Sequence, residues 1–142
     1  MGQYHILVNL DKKEYVSPHG LGLGLKQMEH LSTNAFHQVA SLSDALYFLV
    51  MSSPYRGGGD FPQTPISGQW VGDRVVVLGD YTDDRDVPGF AYAGEIWGEI
   101  DDPSKGWTDI SEEVAEAMGD VFGFRMVGSG WKSREAATPV YR

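Results

Sequence analysis

The chain has 142 residues, of which 42% are hydrophobic and 12% aromatic, so it can form one globular domain that buries about two-thirds of its unfolded surface. It contains no cysteine, which excludes disulfide bonds and cysteine-ligated zinc sites and fits a reducing compartment. Its net charge of −9 argues against direct binding to a nucleic-acid backbone, and its longest apolar run, Ala45–Met51, is far too short to span a membrane.

The first elements in chain order are a hairpin and two helices. Strand-forming residues fill positions 3–10, and a turn through residues 11–14 leads into Tyr15–Val16, which predicts an antiparallel pair. Apolar residues at helical spacing then predict a short helix beginning near Gly24 and a second helix that ends by Ser52.

The middle of the chain predicts a long loop followed by a second β unit. Residues 54–68 contain four glycines and three prolines, which is typical of a loop. Residues 69–71 and Arg74–Leu78 read as two strands, and the Val-Val-Val-Leu run predicts that the second is central and buried on both faces. Large aromatic side chains anchor cores, so Trp70 and Trp97 are predicted to be buried.

The last part of the chain contains the clearest helix. Residues 91–100 fit neither a strand nor a helix well, because glycines interrupt both periods. Residues 109–122 predict a helix with Asp109 as its N-cap. Residues 124–127 predict a strand and residues 129–142 a C-terminal tail. Together these elements predict a single α+β domain over residues 1–142, with a mixed or antiparallel sheet and two to three helices packed on it.

The negative charge is concentrated in one third of the chain. Residues 80–120 hold thirteen of the twenty acidic residues and two of the eleven basic ones, so their formal charge is −11 while the rest of the chain sums to +2. A dense group of aspartates, Asp80, Asp83, Asp84 and Asp86, follows the Val-Val-Val-Leu strand directly. Such a group can be a metal site, an interaction surface or a solvated turn, and the sequence leaves these three interpretations open.

Part of this aspartate group resembles a calcium-binding loop. Asp84, Asp86, Gly89 and Glu95 occupy positions 1, 3, 6 and 12 of the calcium-loop pattern, whereas Pro88 at position 5 has no side-chain oxygen. Calcium bound by Asp84, Asp86 and Glu95 is therefore a hypothesis, and no other metal or cofactor is predicted.

An alternative hypothesis for function is a small enzyme or a nucleotide-binding protein. Its site would gather side chains from strand ends and glycine-rich loops, namely His19, Arg56, Asp60, Arg74 and Asp80. These residue types can bind phosphate or transfer protons. The hypothesis requires that they lie close together in the fold.

Several segments also resemble those of an uncharacterised family of small prokaryotic and phage proteins. The segments that carry the resemblance are Gln3–Tyr15, Pro18–His19, Gly24–Lys26, the Gly-Gly-Gly-Asp loop at Gly57–Asp60, the Trp-Val-Gly-Asp-Arg-Val-Val strand at Trp70–Val76, and the Asp-Ile-Ser-Glu-Glu-Val helix at Asp109–Val114. The resemblance implies a shared fold and is compatible with a phage-encoded protein. It supplies no activity.

The preferred hypothesis for function is a non-enzymatic binding protein that presents residues 80–120 to a protein with a basic surface. Electrostatic complementarity of this kind raises the association rate and weakens with salt. A protein that imitates DNA would be a special case, in which the acids line one face. A virion or other structural component is a third interpretation. We expect a cytoplasmic location, in the host cell if the protein is phage-encoded, because no signal peptide is recognisable.

Overall fold

The computed structural model of the chain describes residues 3–17, 42–52, 57–58, 64–122, 124–127 and 130–133. Across these residues the chain forms a four-stranded mixed sheet, a separate two-stranded hairpin, and helices that pack on both faces of the larger sheet. The predicted α+β class is confirmed.

The elements follow one another without regular alternation of strands and helices. In chain order they are β1 (His5–Asn9), β2 (Glu14–Val16), α1 (Leu42–Val50), β3 (Val75–Gly79), α2 (Ala93–Glu99), β4 (Thr108–Asp109), α3 (Ser111–Phe122), β5 (Phe124–Val127) and β6 (Gly130–Ser133). A single turn of 3₁₀ helix, Pro103–Lys105, lies between α2 and β4. The predicted hairpin is confirmed as β1–β2 and the strand after the last helix as β5. The last predicted helix is confirmed as α3, but it begins at Ser111, because Asp109, the predicted N-cap, lies in β4.

The larger sheet has the strand order β3-β1-β2-β4. Strand β1 pairs antiparallel with β2 and β3, whereas β2 and β4 are parallel. Every residue of β1 is buried, and β1 is an interior strand with a core on each face. The prediction that the Val-Val-Val-Leu run is a central strand is wrong, because β3 lies at the edge of this sheet and its Val77 is exposed.

Two hydrophobic cores lie on opposite faces of the sheet. On the first face, side chains of α1 and α3 pack against the sheet and against the segment after residue 64; the buried members include Leu7, Val16, Leu42, Phe48, Leu49, Ile66, Trp70, Val114 and Met118. On the second face, α2 and the segments flanking it cover Ile6, Val8, Leu10 and Leu78, with Ile96 at the centre of α2. The alternation of side chains along β1 therefore sends successive residues into different cores.

The segment before β3 is a series of turns, so the predicted strand at residues 69–71 is wrong. The backbone N–H groups of Gly68 and Trp70 donate to the carbonyls of Phe48 and Leu49 at 2.9 and 2.8 Å. Carbonyls in the last turn of a helix have no hydrogen-bond partner within the helix. The carbonyls at the end of α1 therefore accept from this segment, which needs no neighbouring strand for these hydrogen bonds. Gly68 has φ +77°, and a Cβ there would lie 3.1 Å from the carbonyl oxygen of Met51. A glycine at this position lets the turn approach the end of α1.

The structure also decides one segment that the sequence left ambiguous and corrects part of the predicted tail. The ambiguous residues 91–100 contain helix α2. Within the predicted tail, residues Gly130–Ser133 form β6, which pairs antiparallel with β5. The helix predicted near Gly24 and the first part of the helix predicted to end by Ser52 lie outside the described residues. Across the described ranges, no helix combines the length and the apolar character needed to cross a bilayer.

Candidate functional site

The sheet divides the acidic third of the chain between two surfaces. Residues 80–102, which we call the loop–α2 surface, lie over the second core, because Val87 and Phe90 of this segment and Ile96 of α2 pack there. Side chains that point away from this core are exposed to solvent. The exposed acids of the loop–α2 surface are Asp84, Asp86, Glu95, Asp101 and Asp102.

The remaining acids belong mainly to α3, on the opposite side of the sheet. Helix α3 turns Val114 and Met118 into the first core and leaves Glu112, Glu113 and Glu116 exposed. We call these three glutamates the α3 surface. The helix dipole stabilises acidic side chains near a helix N-terminus, which explains why Glu112 and Glu113 are favourable in the first turn of α3. The acids of residues 80–120 thus do not line one face, as imitation of DNA would require.

Asp80 continues the pairing between β1 and β3. Its Oδ1 accepts from the N–H of Tyr4 at 3.0 Å, and its own N–H donates to the Tyr4 carbonyl at 3.0 Å. Two residues later, Thr82 closes the end of β3: its Oγ1 accepts from the N–H of Gly79 at 3.0 Å, and its N–H donates to the Gly79 carbonyl at 3.1 Å. Asp80 therefore has a structural role at the strand end.

Asp83 and Asp86 hold the next turn. The N–H of Asp83 donates to Asp86 Oδ2 at 3.0 Å, and the N–H of Asp86 donates to the Asp83 carbonyl at 3.1 Å. Arg85 donates to Asp83 through its backbone N–H at 2.9 Å and through its guanidinium at 2.8 Å. These hydrogen bonds from Arg85 lower the pKa of the Asp83 carboxyl, so Asp83 is charged at neutral pH.

Asp84 attaches this loop to the start of α2. Its Oδ1 accepts from the N–H of Gly94 at 2.8 Å. A Cβ at position 94 would lie 3.1 Å from that oxygen and 3.3 Å from the Asp83 Cα, so the approach depends on a glycine. The predicted aspartate group therefore lies in a turn in which its carboxylates accept hydrogen bonds from the backbone.

The hypothesis of calcium bound by Asp84, Asp86 and Glu95 stays a prediction. One oxygen of Asp84 and one of Asp86 accept from backbone N–H groups, whereas Glu95 is exposed in the first turn of α2. Among the described residues, no group of three or more His, Asp or Glu side chains is placed to hold a metal ion. Calcium takes six to eight oxygen ligands.

Arg74 and Asp80 are not brought together. They lie at opposite ends of the five-residue strand β3, which places their Cα atoms about 20 Å apart. Arg74 contacts Asp11 instead: its N–H donates to Oδ2 at 2.6 Å and its Nε to Oδ1 at 2.9 Å. The other residues predicted for an enzymatic or nucleotide site, His19, Arg56 and Asp60, lie outside the described residues.

The sequence-based reasoning missed two exposed tyrosines on the loop–α2 surface. Tyr81 is 62% exposed and Tyr92 is 63% exposed, whereas tyrosine is on average intermediate between buried and exposed residue types. Tyr81 follows Asp80, and Tyr92 precedes α2 two residues before Gly94, which Asp84 contacts. The signal in the sequence was the presence of tyrosine inside the acidic segment, where the apolar periodicity of a core element is lacking.

No protein-family model, curated protein or solved structure matches this chain.

Proposed function

We propose that the protein is a non-enzymatic binding protein that presents the loop–α2 surface to a partner protein with a basic surface. The observation that carries the proposal is the pair of exposed tyrosines, Tyr81 and Tyr92, beside aspartates whose carboxylates are hydrogen-bonded to the backbone. Tyrosine is enriched in interface hot spots because it adds a large contact area at a low cost in conformational entropy.

The hydrogen bonds of the loop favour binding as well as folding. A loop already held in one conformation loses little entropy when a partner binds, so more of the contact energy appears as affinity. Asp84 and Asp86 are exposed and add a negative field around the tyrosines, which accelerates encounter with a positively charged surface. The same field disfavours a nucleic-acid backbone and the anionic leaflet of a membrane.

The α3 surface is the less suitable of the two acidic surfaces. The exposed large hydrophobic side chains in the described part of the chain are Tyr4, Tyr47, Val50, Val71, Val77, Tyr81 and Tyr92. None of these belongs to α3, whose exposed glutamates have the ordinary composition of a solvated helix face. We place the interaction in the cytoplasm, in keeping with a chain that has no cysteine.

The test compares two variants with the same loss of charge. Glu95→Gln with Asp101→Asn removes two acids from the loop–α2 surface, and Glu113→Gln with Glu116→Gln removes two from the α3 surface. A third variant, Tyr81→Ala with Tyr92→Ala, keeps the charge and removes the aromatic contacts. Proteins captured from a cell lysate at about 0.1 M salt are identified and purified, and their association and dissociation rates with each variant are measured.

The expected outcome distinguishes the two surfaces. The tyrosine variant should lose at least about tenfold in affinity, chiefly by faster dissociation. The loop–α2 charge variant should associate more slowly, while the α3 variant behaves as wild type. Equal effects of the two charge variants would show a response to net charge alone. Unchanged binding by the tyrosine variant would contradict the proposed surface.

A further inference from the structure

Strand β3 has one edge that faces away from β1, and the pairing register identifies which backbone groups lie on it. The N–H of Leu10 donates to the Arg74 carbonyl at 2.8 Å, and the N–H of Asp80 donates to the Tyr4 carbonyl at 3.0 Å. In an antiparallel pair, alternate residues exchange hydrogen bonds with the neighbouring strand. The even-numbered residues of β3 therefore bond to β1, and the odd-numbered ones direct their N–H and C=O groups outward.

Within the part of the chain that the structure describes, only the middle of this outward edge is open. Both outward groups of Gly79 are occupied by Thr82, through its Oγ1 and its N–H. Among the described residues, no hydrogen-bond partner is found for the outward N–H and C=O groups of Val75 and Val77. Two adjacent outward-facing residues thus offer a donor and an acceptor each.

The side chains at this edge are apolar. Val77 is 46% exposed and lies on the same face of the sheet as Leu7, with which it is paired in register. Edge strands of natural proteins are ordinarily protected by charged residues, prolines or bulges, because an unprotected apolar edge pairs with another strand. Residues 75–78 contain none of these protections.

We propose that β3 pairs antiparallel with β3 of a second copy of this chain, centred on Val76. In this register Val75 faces Val77 of the second copy and Val77 faces its Val75, so each such pair exchanges two backbone hydrogen bonds. The exposed Val77 is then covered by a β-branched side chain. A register centred on Val77 would place Val75 opposite Gly79, whose outward groups are already occupied.

The charges at the two ends of β3 favour a second copy in antiparallel orientation. Residues 80–86 follow one end and carry four aspartates and one arginine, whereas at the other end Arg74 and Lys12 form ion pairs with Asp11 and Asp73, so that end is close to neutral. A two-fold axis through Val76 brings the acidic end of each copy toward the near-neutral end of the other. Parallel pairing would place the two acidic ends side by side.

The salt dependence of dimerisation differs from that of the partner binding proposed above. Each copy carries a net charge of −9, so two copies repel one another at low ionic strength. Added salt screens that repulsion and strengthens the association, whereas it weakens attraction between the loop–α2 surface and a basic partner. Failure of one proposal therefore does not decide the other.

Sedimentation velocity over a range of protein concentrations tests whether the outward edge of β3 mediates dimerisation. Val77→Pro removes only an outward-facing N–H, which edge strands tolerate, and Val77→Lys places a charge on the edge. Val71→Lys is the matched control, because Val71 is 45% exposed and lies outside β3. We expect wild type and V71K to dimerise alike, and V77P and V77K to weaken dimerisation at least about tenfold. A thermal melt of each variant establishes that it is folded.

The register is tested by cross-linking, since the chain has no cysteine of its own. In the proposed dimer the Cα atoms of Val76 in the two copies lie about 4.5 Å apart, within the range of a disulfide, while those of Val77 are separated by about 7–8 Å. Under a mild oxidant V76C should cross-link rapidly and V77C slowly. Wild type that stays monomeric at about 1 mM, or V77P and V77K that both dimerise as wild type does, would overturn the proposal. Faster cross-linking of V77C would overturn the register.

Discussion

Trp70 is the largest fully buried side chain in the described part of the chain, and it also contains a polar group. Its indole Nε1 donates to Glu14 Oε1 at 2.9 Å, which satisfies the N–H that burial removes from water. Glu14 lies in β2, so this hydrogen bond joins the turn after α1 to the hairpin. The prediction that Trp70 is buried is confirmed, while its acceptor depends on a residue 56 positions away in sequence.

Two substitutions of Glu14 distinguish the contribution of this hydrogen bond to stability from that of the negative charge. Glu14→Ala leaves a buried indole N–H without a partner and should lower the free energy of unfolding by about 1–3 kcal/mol. Glu14→Gln keeps an acceptor oxygen and should change it far less. Urea denaturation followed by tryptophan fluorescence measures both, and equal losses for the two variants would contradict this role of Glu14.

Helix α2 shows how two glycines of one element can have opposite requirements. Both interrupt the apolar period, which is why the sequence leaves residues 91–100 ambiguous. Gly94 is approached closely by Asp84 and by the backbone of Asp83, whereas a Cβ at Gly98 would meet no atom within 4 Å. The helix forms because Ile96, Trp97 and Ile100 lie in or against the second core, and packing outweighs the low helix propensity of glycine.

The two glycines provide a matched pair of substitutions. Gly98→Ala should raise the free energy of unfolding by about 0.5–1 kcal/mol, because alanine loses less conformational entropy in a helix. Gly94→Ala gains the same propensity but forces Asp84 and Asp83 to move, so the variant should be less stable than wild type. Thermal unfolding of both variants tests the difference, and stabilisation by G94A equal to that by G98A would rule out a close approach.

At the scale of the whole molecule, the hairpin turn is joined to the start of β3 by a polar cluster. Asn9 is fully buried; its Oδ1 accepts from the N–H groups of Asp11 and Lys12, both at 2.9 Å, and its Nδ2 donates to Asp73 Oδ2 at 2.8 Å. Lys12 also contacts Asp73, and Arg74 contacts Asp11. The cluster connects segments that are about sixty residues apart in sequence.

The cluster makes stability depend on acid pH. Hydrogen bonds from Lys12 and Asn9 lower the pKa of Asp73, and hydrogen bonds from Arg74 lower that of Asp11. A carboxyl whose pKa is lower in the folded state stabilises the fold above its unfolded pKa, and this stabilisation is lost as the pH falls through the folded pKa. We expect the melting temperature to decrease below about pH 4. Asp73→Asn should lower it at neutral pH and make the acid decrease shallower; an unchanged acid slope would exclude Asp73 as a contributor.

The sequence by itself determined the α+β class, the hairpin, helix α3 and the burial of Trp70, because periodicity, caps and aromatic content act within short stretches of chain. Only the tertiary structure decided that β1 is an interior strand and β3 an edge of the described sheet, since strand order depends on pairing between residues about seventy positions apart. The same long-range pairing put the sheet between the two acidic surfaces and gave the aspartates after β3 their backbone partners. It also left Tyr81, Tyr92 and Val77 exposed, and the two proposals rest on these residues.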